Sequence, residues 1–390
     1  MAMHGHSITQ VQDPGPVGLG GTPRLAAIGA AAGAILWIAS MALGEPQRAW
    51  QAFLLSYFFF LMLGLGGIVF SAIQYCASAR WSIAVRRLAE GMGSFVPVGL
   101  VLFLVLMVFA WDGLYGESMA FYMTWPMVLA RGLVFYALWL WLVHKLRGNS
   151  LAGDTTRDAS LHQKNIKLSI IFLLVFAYTF SLHVIDLLMA LHPRWFSTIF
   201  GVYCFCGLFI STLCVLTLVT HWMRRRSPAV REAIQRRHLY DLGTWIMAFS
   251  CFMCYIGFSQ YMLIWYANLP EETFYFLIRT TNGWEHMTLL LPLLKWVIPF
   301  LVLMPQPFRA SVPVQVGVCV AVLVGQVIDI FWMIYPAFSD TLVLPGVAEL
   351  GSILALGGVF VILLDRAYSR HSVLAIGDPH LKSSVDGSYL

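Results

Sequence analysis

Ten stretches of about 20 predominantly apolar residues follow one another along the chain, and each is long enough to cross a membrane as a helix. Only 11% of the residues are charged, whereas a soluble globular domain carries roughly 25%. The sequence therefore predicts an all-α integral membrane protein and excludes a soluble one. The ten predicted spans are residues 25–43, 50–75, 92–111, 127–146, 168–190, 198–221, 241–266, 286–305, 312–335 and 348–367.

Lysine and arginine residues fall almost entirely on alternate loops. Of the 24 basic residues, 19 lie in the N-terminal tail 1–24, the C-terminal tail 368–390, the loops after the even-numbered spans, or the span ends beside them. The remaining loops hold only Arg48, Arg194 and Arg279. Basic loops are retained on the cytoplasmic side. Both tails are therefore predicted to be cytoplasmic, and the net charge of +5 reflects membrane topology rather than nucleic-acid binding.

Two short patterns occur twice, in the same order and at nearly the same spacing. Arg-Arg-x5-Gly-Ser-Phe at residues 86–95 returns as Arg-Arg-x5-Gly-Thr-Trp at 236–245. His-Val-Ile-Asp-x6-Pro at 183–193 returns as Gln-Val-Ile-Asp-x6-Pro at 326–336. Parallel repeats are a known plan for membrane proteins. The repeat predicts two four-helix bundles, spans 2–5 and 6–9, with one peripheral helix at each end; these units cover residues 50–190, 198–335, 25–43 and 348–367.

Four charged residues stand out among those inside the predicted spans. Asp186 and Asp329 occupy equivalent places in the repeat, Arg131 lies near the start of the fourth span, and Lys295 lies near the middle of the eighth. Charged residues within a membrane are costly, so they face the protein interior and find partners. We expect Arg131 to pair with Asp186, and Lys295 to pair with Asp329.

The surroundings of Asp186 suggest a proton-conducting chain. His183 lies three residues away, on the same helix face, and histidine exchanges protons near neutral pH. Tyr178 is a further candidate member of this chain. In the second unit Gln326 replaces the histidine, which makes a relay at Asp329 less evident. The same residues also fit a purely structural role as satisfied ion pairs, or a ligand site.

At the predicted cytoplasmic helix ends, Asp241, His221 and Asp365 are candidate points of proton uptake. The sequence contains no metal-ligand spacing, nucleotide motif or hydrolase triad. No predicted span carries two histidines about half a membrane apart, as a two-haem bundle requires. The chain is therefore predicted to hold no redox cofactor of its own.

Several segments resemble the NrfD-like family, the membrane subunits of polysulfide reductase and related enzymes. They lie between residues 45 and 310, at 50–57, 181–203, 241–243 and 258–272. The most specific is Gln260-Tyr-x3-Trp-Tyr-x-Asn-Leu-Pro-Glu-Glu. The chain departs from the family pattern at Leu187, where many members have an aromatic residue.

The resemblance is strongest to the smaller of the two NrfD-like subunits of alternative complex III, a bacterial quinol:cytochrome c oxidoreductase. It implies a bacterial inner-membrane subunit of an electron-transport chain, structural and proton-translocating, and not catalytic alone. Its implied partners are a second NrfD-like subunit, cytochrome c subunits and an iron-sulfur subunit. The haem c and the iron-sulfur clusters lie in those partners, and quinol is the substrate of the whole complex. The expected proton-path residues are Asp186, His183, Arg131, Lys295, Asp329, Tyr178, Gln260 and Asp241.

Two other functions stay open from the sequence. A quinone-binding subunit in its own right would use the region of Trp111 and Asp112, in an outer loop that is acidic and aromatic. A secondary transporter would bind its solute between the two repeats and would have broken helices at matching midplane positions. Pro292 in the eighth span has no equally placed counterpart in the fourth, where Pro126 lies at the boundary.

Overall fold

The structure, a computed structural model, describes residues 12–116 and 121–388. It is 82% helical, with no strand in those two ranges. Ten helices are long and apolar enough to cross a membrane, which confirms the predicted all-α, multi-pass architecture. They are α1 (Thr22–Ala42), α2 (Pro46–Cys76), α3 (Arg80–Phe109), α4 (Trp125–Thr156), α5 (Ala159–Leu191), α6 (Phe200–Arg226), α7 (Arg236–Ala267), α8 (Trp284–Leu303), α9 (Val312–Ala337) and α10 (Val347–Tyr368).

Several helices extend beyond their apolar segments at one end of the molecule. This end carries the α2–α3, α4–α5, α6–α7 and α8–α9 loops, and we call it the basic end. The first turns of α3 show why the helices extend there. Arg86, Arg87 and Glu90 are all buried there. Arg87 lies 3.2 Å from Glu90 and 2.7 Å from Asp154 on α4. Hydropathy marks only the part of a helix that lipid can surround, so the prediction began α3 too late, at residue 92.

Helix α2 lies at the centre of the molecule, and its most apolar 18-residue window is completely buried. A helix that is apolar all round belongs in an interior. It packs against α3, α5, α6, α9 and α10. Other packed pairs are α3–α4, α4–α5, α6–α7, α6–α9, α7–α8 and α8–α9, while α1 packs mainly on α10.

The segments outside the first and last spans fold back onto the basic end. Val17 donates its backbone N–H to the carbonyl of Tyr368. Arg86 forms an ion pair with Asp378, and Arg237 donates to the carbonyl of Ser384. These contacts place both described terminal segments at the same end as the basic loops. Residues 1–11 and 389–390 of the predicted tails lie outside the described residues.

Helix α8 is interrupted in its middle. Pro292 lies inside it and has no N–H to donate, and the next turn, Leu293–Val297, is a π-helix. Single π-turns are frequent at functional sites because they redirect one side chain out of the regular helical path. Lys295 lies in this turn and is buried.

Replacement of Gly67 by valine tests the close packing of α2 on α3. A Cβ atom at Gly67 would collide with the backbone carbonyl of Ala89 and lie 2.7 Å from the Cβ of Met92. We expect the variant to lose about 1–3 kcal/mol of stability by overpacking, measured as a lower thermal unfolding midpoint in detergent. Gly29→Val on α1 is the matched control, because nothing lies within 4 Å of that position. Equal unfolding midpoints for the two variants would contradict this packing.

Candidate functional site

The predicted pair between Arg131 and Asp186 is present, and it joins α4 to α5. Arg131 Nη2 and Nε donate to the two carboxylate oxygens of Asp186 over 2.8 and 3.1 Å. Its Nη1 donates to the carbonyl of Tyr122 over 2.6 Å. The Asp186 side chain is 2% exposed and that of Arg131 is 25% exposed. The carboxylate is therefore buried, while the guanidinium lies at the boundary of the protein.

His183 lies one turn before Asp186 and is completely enclosed by aromatic rings. Its Nε2 lies 2.8 Å from the hydroxyl of Tyr57, which in turn lies 2.8 Å from the hydroxyl of Tyr136. Phe103 and Trp139 pack against the imidazole. Three exchangeable groups from three helices thus form one hydrogen-bonded chain. Sequence reasoning missed both tyrosines, because neither is charged and aromatic residues are common in membrane helices.

The predicted pair between Lys295 and Asp329 is also present, and it joins α8 to α9. Lys295 Nζ donates to Asp329 Oδ2 over 2.6 Å and to Gln326 Oε1 over 2.7 Å. Tyr203 donates to the other oxygen of Asp329 over 2.6 Å. Lys295, Asp329 and Gln326 are all buried. Gln326 therefore fixes the ammonium group instead of continuing a chain of titratable groups.

The two sites contain corresponding residues but differ in their hydrogen bonds. Each has an acid on the fifth or ninth helix and a base on the helix before it. Each also has a tyrosine from α2 or α6, Tyr57 or Tyr203. In the first site the tyrosine bonds the histidine, whereas in the second it bonds the acid itself. Tyr203 was not identified from the sequence.

One cavity adjoins each site. A cavity of about 350 Å³ between α7 and α8 is walled by apolar residues and has Lys295, Gln260 and Tyr203 in its lining. Gln260 donates to Ser197 Oγ over 3.1 Å, so it is near the second site and does not contact its acid. The other cavity, about 330 Å³, is lined by Trp111, Tyr115, His192 and Trp195 among others.

Other predicted site residues lie away from the two pairs. The Tyr178 side chain is 73% exposed on the outer surface of α5. Asp112 is exposed and does not line the cavity beside Trp111. Asp241 is half-buried at the start of α7, and Glu117 of the same outer loop as Asp112 lies outside the described residues.

The histidines and the acid at the helix ends have separate surroundings. His221 lies 2.8 Å from Gln315 Oε1, and Asp365 accepts from the backbone N–H of Leu19. His144 and His286 are exposed. Within the described ranges, no group of three or more His, Cys, Asp or Glu side chains could hold a metal ion.

Arg279 is a buried charge that sequence reasoning assigned to an outer loop. Its side chain is 0% exposed and stacks on Tyr275, with Cζ 3.5 Å from the ring centroid. It donates to the carbonyls of Trp332 and Met333 at the end of α9 and to Nε2 of His192 after α5. The guanidinium therefore ties the two halves together at the end opposite the basic loops. Loop position and residue type gave no sign of this burial.

Comparison of the chain with protein-family models and with curated proteins finds no match in either set.

Replacement of Lys295 by methionine tests whether the second pair is essential to the fold. The variant leaves Asp329 buried without its cation, and breaking one partner of a buried pair costs about 3–5 kcal/mol. We expect a large fall in the thermal unfolding midpoint in detergent. Lys295→Met combined with Asp329→Asn should recover much of that loss. A single variant as stable as the wild type would show that the pair is dispensable.

Replacement of His192 by glutamine tests the contact with Arg279 through pH. Burial, and then the charge of Arg279, lower the pKa of His192 from 6.5 to about 3. The unfolded chain therefore takes up a proton that the folded chain excludes, so stability is complete above about pH 6.5 and falls as the pH drops towards 3.

Glutamine keeps an acceptor for Arg279 and does not titrate. Between pH 6 and 4 we expect the wild type to lose up to about 1.4 kcal/mol per pH unit more than His192→Gln. Unfolding midpoints measured across this range for both proteins check the difference. Parallel pH profiles would contradict a neutral, buried His192.

Proposed function

We propose that this chain is the smaller NrfD-like membrane subunit, of the ActF type, of an alternative complex III-like quinol:acceptor oxidoreductase. In this proposal it is structural and proton-translocating, it has no redox cofactor of its own, and it is not catalytic alone. Quinol is the substrate of the complex. Haem c and iron-sulfur clusters belong to the partner subunits, which include cytochrome c subunits, an iron-sulfur subunit and a second NrfD-like subunit.

The observation that carries the proposal is the pair of buried acid–base contacts on corresponding helices. A charge at mid-membrane costs about 2.5–3.5 kcal/mol on insertion scales, and a well-packed apolar pair is often as stable as a buried ion pair. Stability alone therefore gives little reason for Arg131–Asp186 and Lys295–Asp329. Carboxylates, a histidine and tyrosines in hydrogen-bonded chains are the groups that carry protons through membrane proteins.

The packing supports a finer architecture that belongs to the same proposal. Helices α2–α5 contact one another in a closed ring, and helices α6–α9 do the same. We infer two four-helix bundles related by a parallel repeat, with α1 and α10 peripheral. The basic loops and both described terminal segments share one end, so we place that end in the cytoplasm of a bacterial cell. The partner subunits that hold redox centres would then bind at the other end.

In this proposal protonation loosens each ion pair in turn. A proton on Asp186 removes the charge that holds Arg131. His183, one turn away on α5, bonds the hydroxyl of Tyr57, and in this proposal it takes the proton onward. A proton on Asp329 likewise releases Lys295. Because Arg131 is partly exposed and Lys295 is buried, the first pair is the one open to exchange with the surroundings.

A specific observation favours quinone binding as a second candidate function. The cavity of about 330 Å³ is lined by Trp111, Tyr115 and Tyr122, and Tyr122 also accepts from Arg131. An aromatic cavity beside a charged pair suits a quinone ring. A secondary transporter has less support, because α8 is interrupted at Pro292 whereas the corresponding α4 is continuous.

Replacement of Asp186 by asparagine tests proton translocation. We expect quinol-driven proton uptake in vesicles containing the whole complex to fall by about tenfold or more, because asparagine cannot bind a proton. Proton uptake and quinol oxidation are measured together, with assembly checked by co-purification of the partners. Tyr255→Phe is the control: its side chain is exposed and takes part in neither ion pair.

The two activities separate the functions. Loss of proton uptake with quinol oxidation retained supports the relay. Unchanged uptake in an intact complex would refute it. Loss of quinol oxidation in Asp186→Asn and in Trp111→Ala would favour the quinone-binding function instead.

A further inference from the structure

A third cavity, of about 810 Å³, lies at the basic end between α3, α4 and α10. Its lining includes the side chains of Arg147, Arg366, Arg370, His144 and His371. No carboxylate lines it within the described part of the chain. Three arginines and no acid in the lining give the cavity a positive potential.

Arg147 differs from several other arginines that point into the protein. Arg48, Arg87 and Arg131 each contact a carboxylate, those of Glu349, Asp154 and Asp186 respectively. Arg147 donates to Ser94 Oγ over 2.7 Å and, within the described ranges, forms no ion pair within 4 Å; Glu90 acts on it only at longer range. A guanidinium has five N–H donors in a planar fork, so most of its donors are left for a ligand.

The nearest acids are occupied elsewhere. Glu90 contacts Arg86 and Arg87 and accepts from Ser150, and Asp365 accepts from Leu19. The positive potential of the cavity also acts on His371: burial and then the charges of the neighbouring arginines lower its pKa. Glu90 and Asp154 act on Arg147 and His371, respectively, from outside the lining, but within the described residues no carboxylate lies in the cavity itself.

The remaining lining is apolar and belongs to the membrane-spanning parts of the helices. Pro97, Leu140, Val143 and Leu363 continue the cavity from its basic rim along α3, α4 and α10. A ligand that fits both parts has a phosphate at the rim and a hydrocarbon chain below it. Basic pockets between membrane helices on the cytoplasmic side are typical binding places for acidic lipid head groups.

We propose that this cavity binds an anionic phospholipid, with its phosphate held by Arg147, Arg366 and Arg370 and an acyl chain along Leu140 and Val143. Arginine suits this role because it forms paired, charge-assisted hydrogen bonds to phosphate oxygens. The lipid would fill the space between α10 and the α3–α4 pair. The inference rests on the cavity alone and does not depend on the proposed function.

Native mass spectrometry of the full-length chain in mild detergent tests this proposal. Phosphatidylglycerol and phosphatidylcholine with identical acyl chains are added at equal concentration. We expect retained adducts of phosphatidylglycerol only. Arg366→Gln combined with Arg370→Gln should weaken its binding by about tenfold or more, since each basic residue near a head group contributes to attraction. The matched control, K164Q/K167Q, removes two exposed charges from the same end outside the cavity and should bind like the wild type.

Arg366 and Arg370 are exposed, so their double variant should fold normally, which an unchanged unfolding midpoint verifies. Arg147→Gln is a second variant and should also weaken binding. Equal binding of both lipids would overturn the proposal, as would undiminished phosphatidylglycerol binding in the folded double variant. Displacement of the lipid by an equal concentration of inorganic phosphate would show a site for a free anion and would also overturn it.

Discussion

The cost of a charge in an apolar surrounding governs this structure. A chain with 59% apolar residues can place its helices in lipid with little restriction, but each buried ionic group needs a partner on another helix. Arg131 and Asp186 fix α4 against α5, and Lys295 and Asp329 fix α8 against α9. Such polar contacts specify which helices meet, which apolar surfaces alone do poorly in a membrane.

The same rule operates at the helix ends. Arg86 contacts Asp378 of the C-terminal segment, and Arg87 contacts Asp154 of α4. Arg279 follows another course: it has backbone carbonyls and His192 around it, and its pKa is lowered by burial to about 10. Carbonyl groups at the end of α9 carry partial negative charge, so they can hold a cation without an acid. Arg279 thus joins the two halves of the chain without an acidic partner among the described residues.

The sequence predicted the helices and the two ion pairs because both depend on simple quantities. Apolar length identifies a span, and away from the cytoplasmic span ends the basic residues that can pair with Asp186 and Asp329 inside the predicted spans are Arg131 and Lys295. It did not predict the roles of the Tyr57, Tyr136 and Tyr203 hydroxyl groups. A tyrosine in a buried hydrogen bond and a tyrosine at the membrane interface are the same residue type, and sequence pattern does not separate them. Tyr178 shows the reverse error: it lies five residues before His183, and this spacing turns it away to the lipid-facing surface.

The difference between the two sites has a physical consequence for any proton path. In the first, Asp186 meets a guanidinium that is 25% exposed, so water can approach the pair from the arginine side. In the second, the ammonium group of Lys295 is held by an acid, an amide and a π-turn of α8, and its side chain is 4% exposed. If Lys295 is released in the proposed proton path, we expect α8 to move at Pro292, where the regular hydrogen-bond pattern is already broken. In the proposed proton path, exchange with the surroundings would belong to the first site and a conformational response to the second.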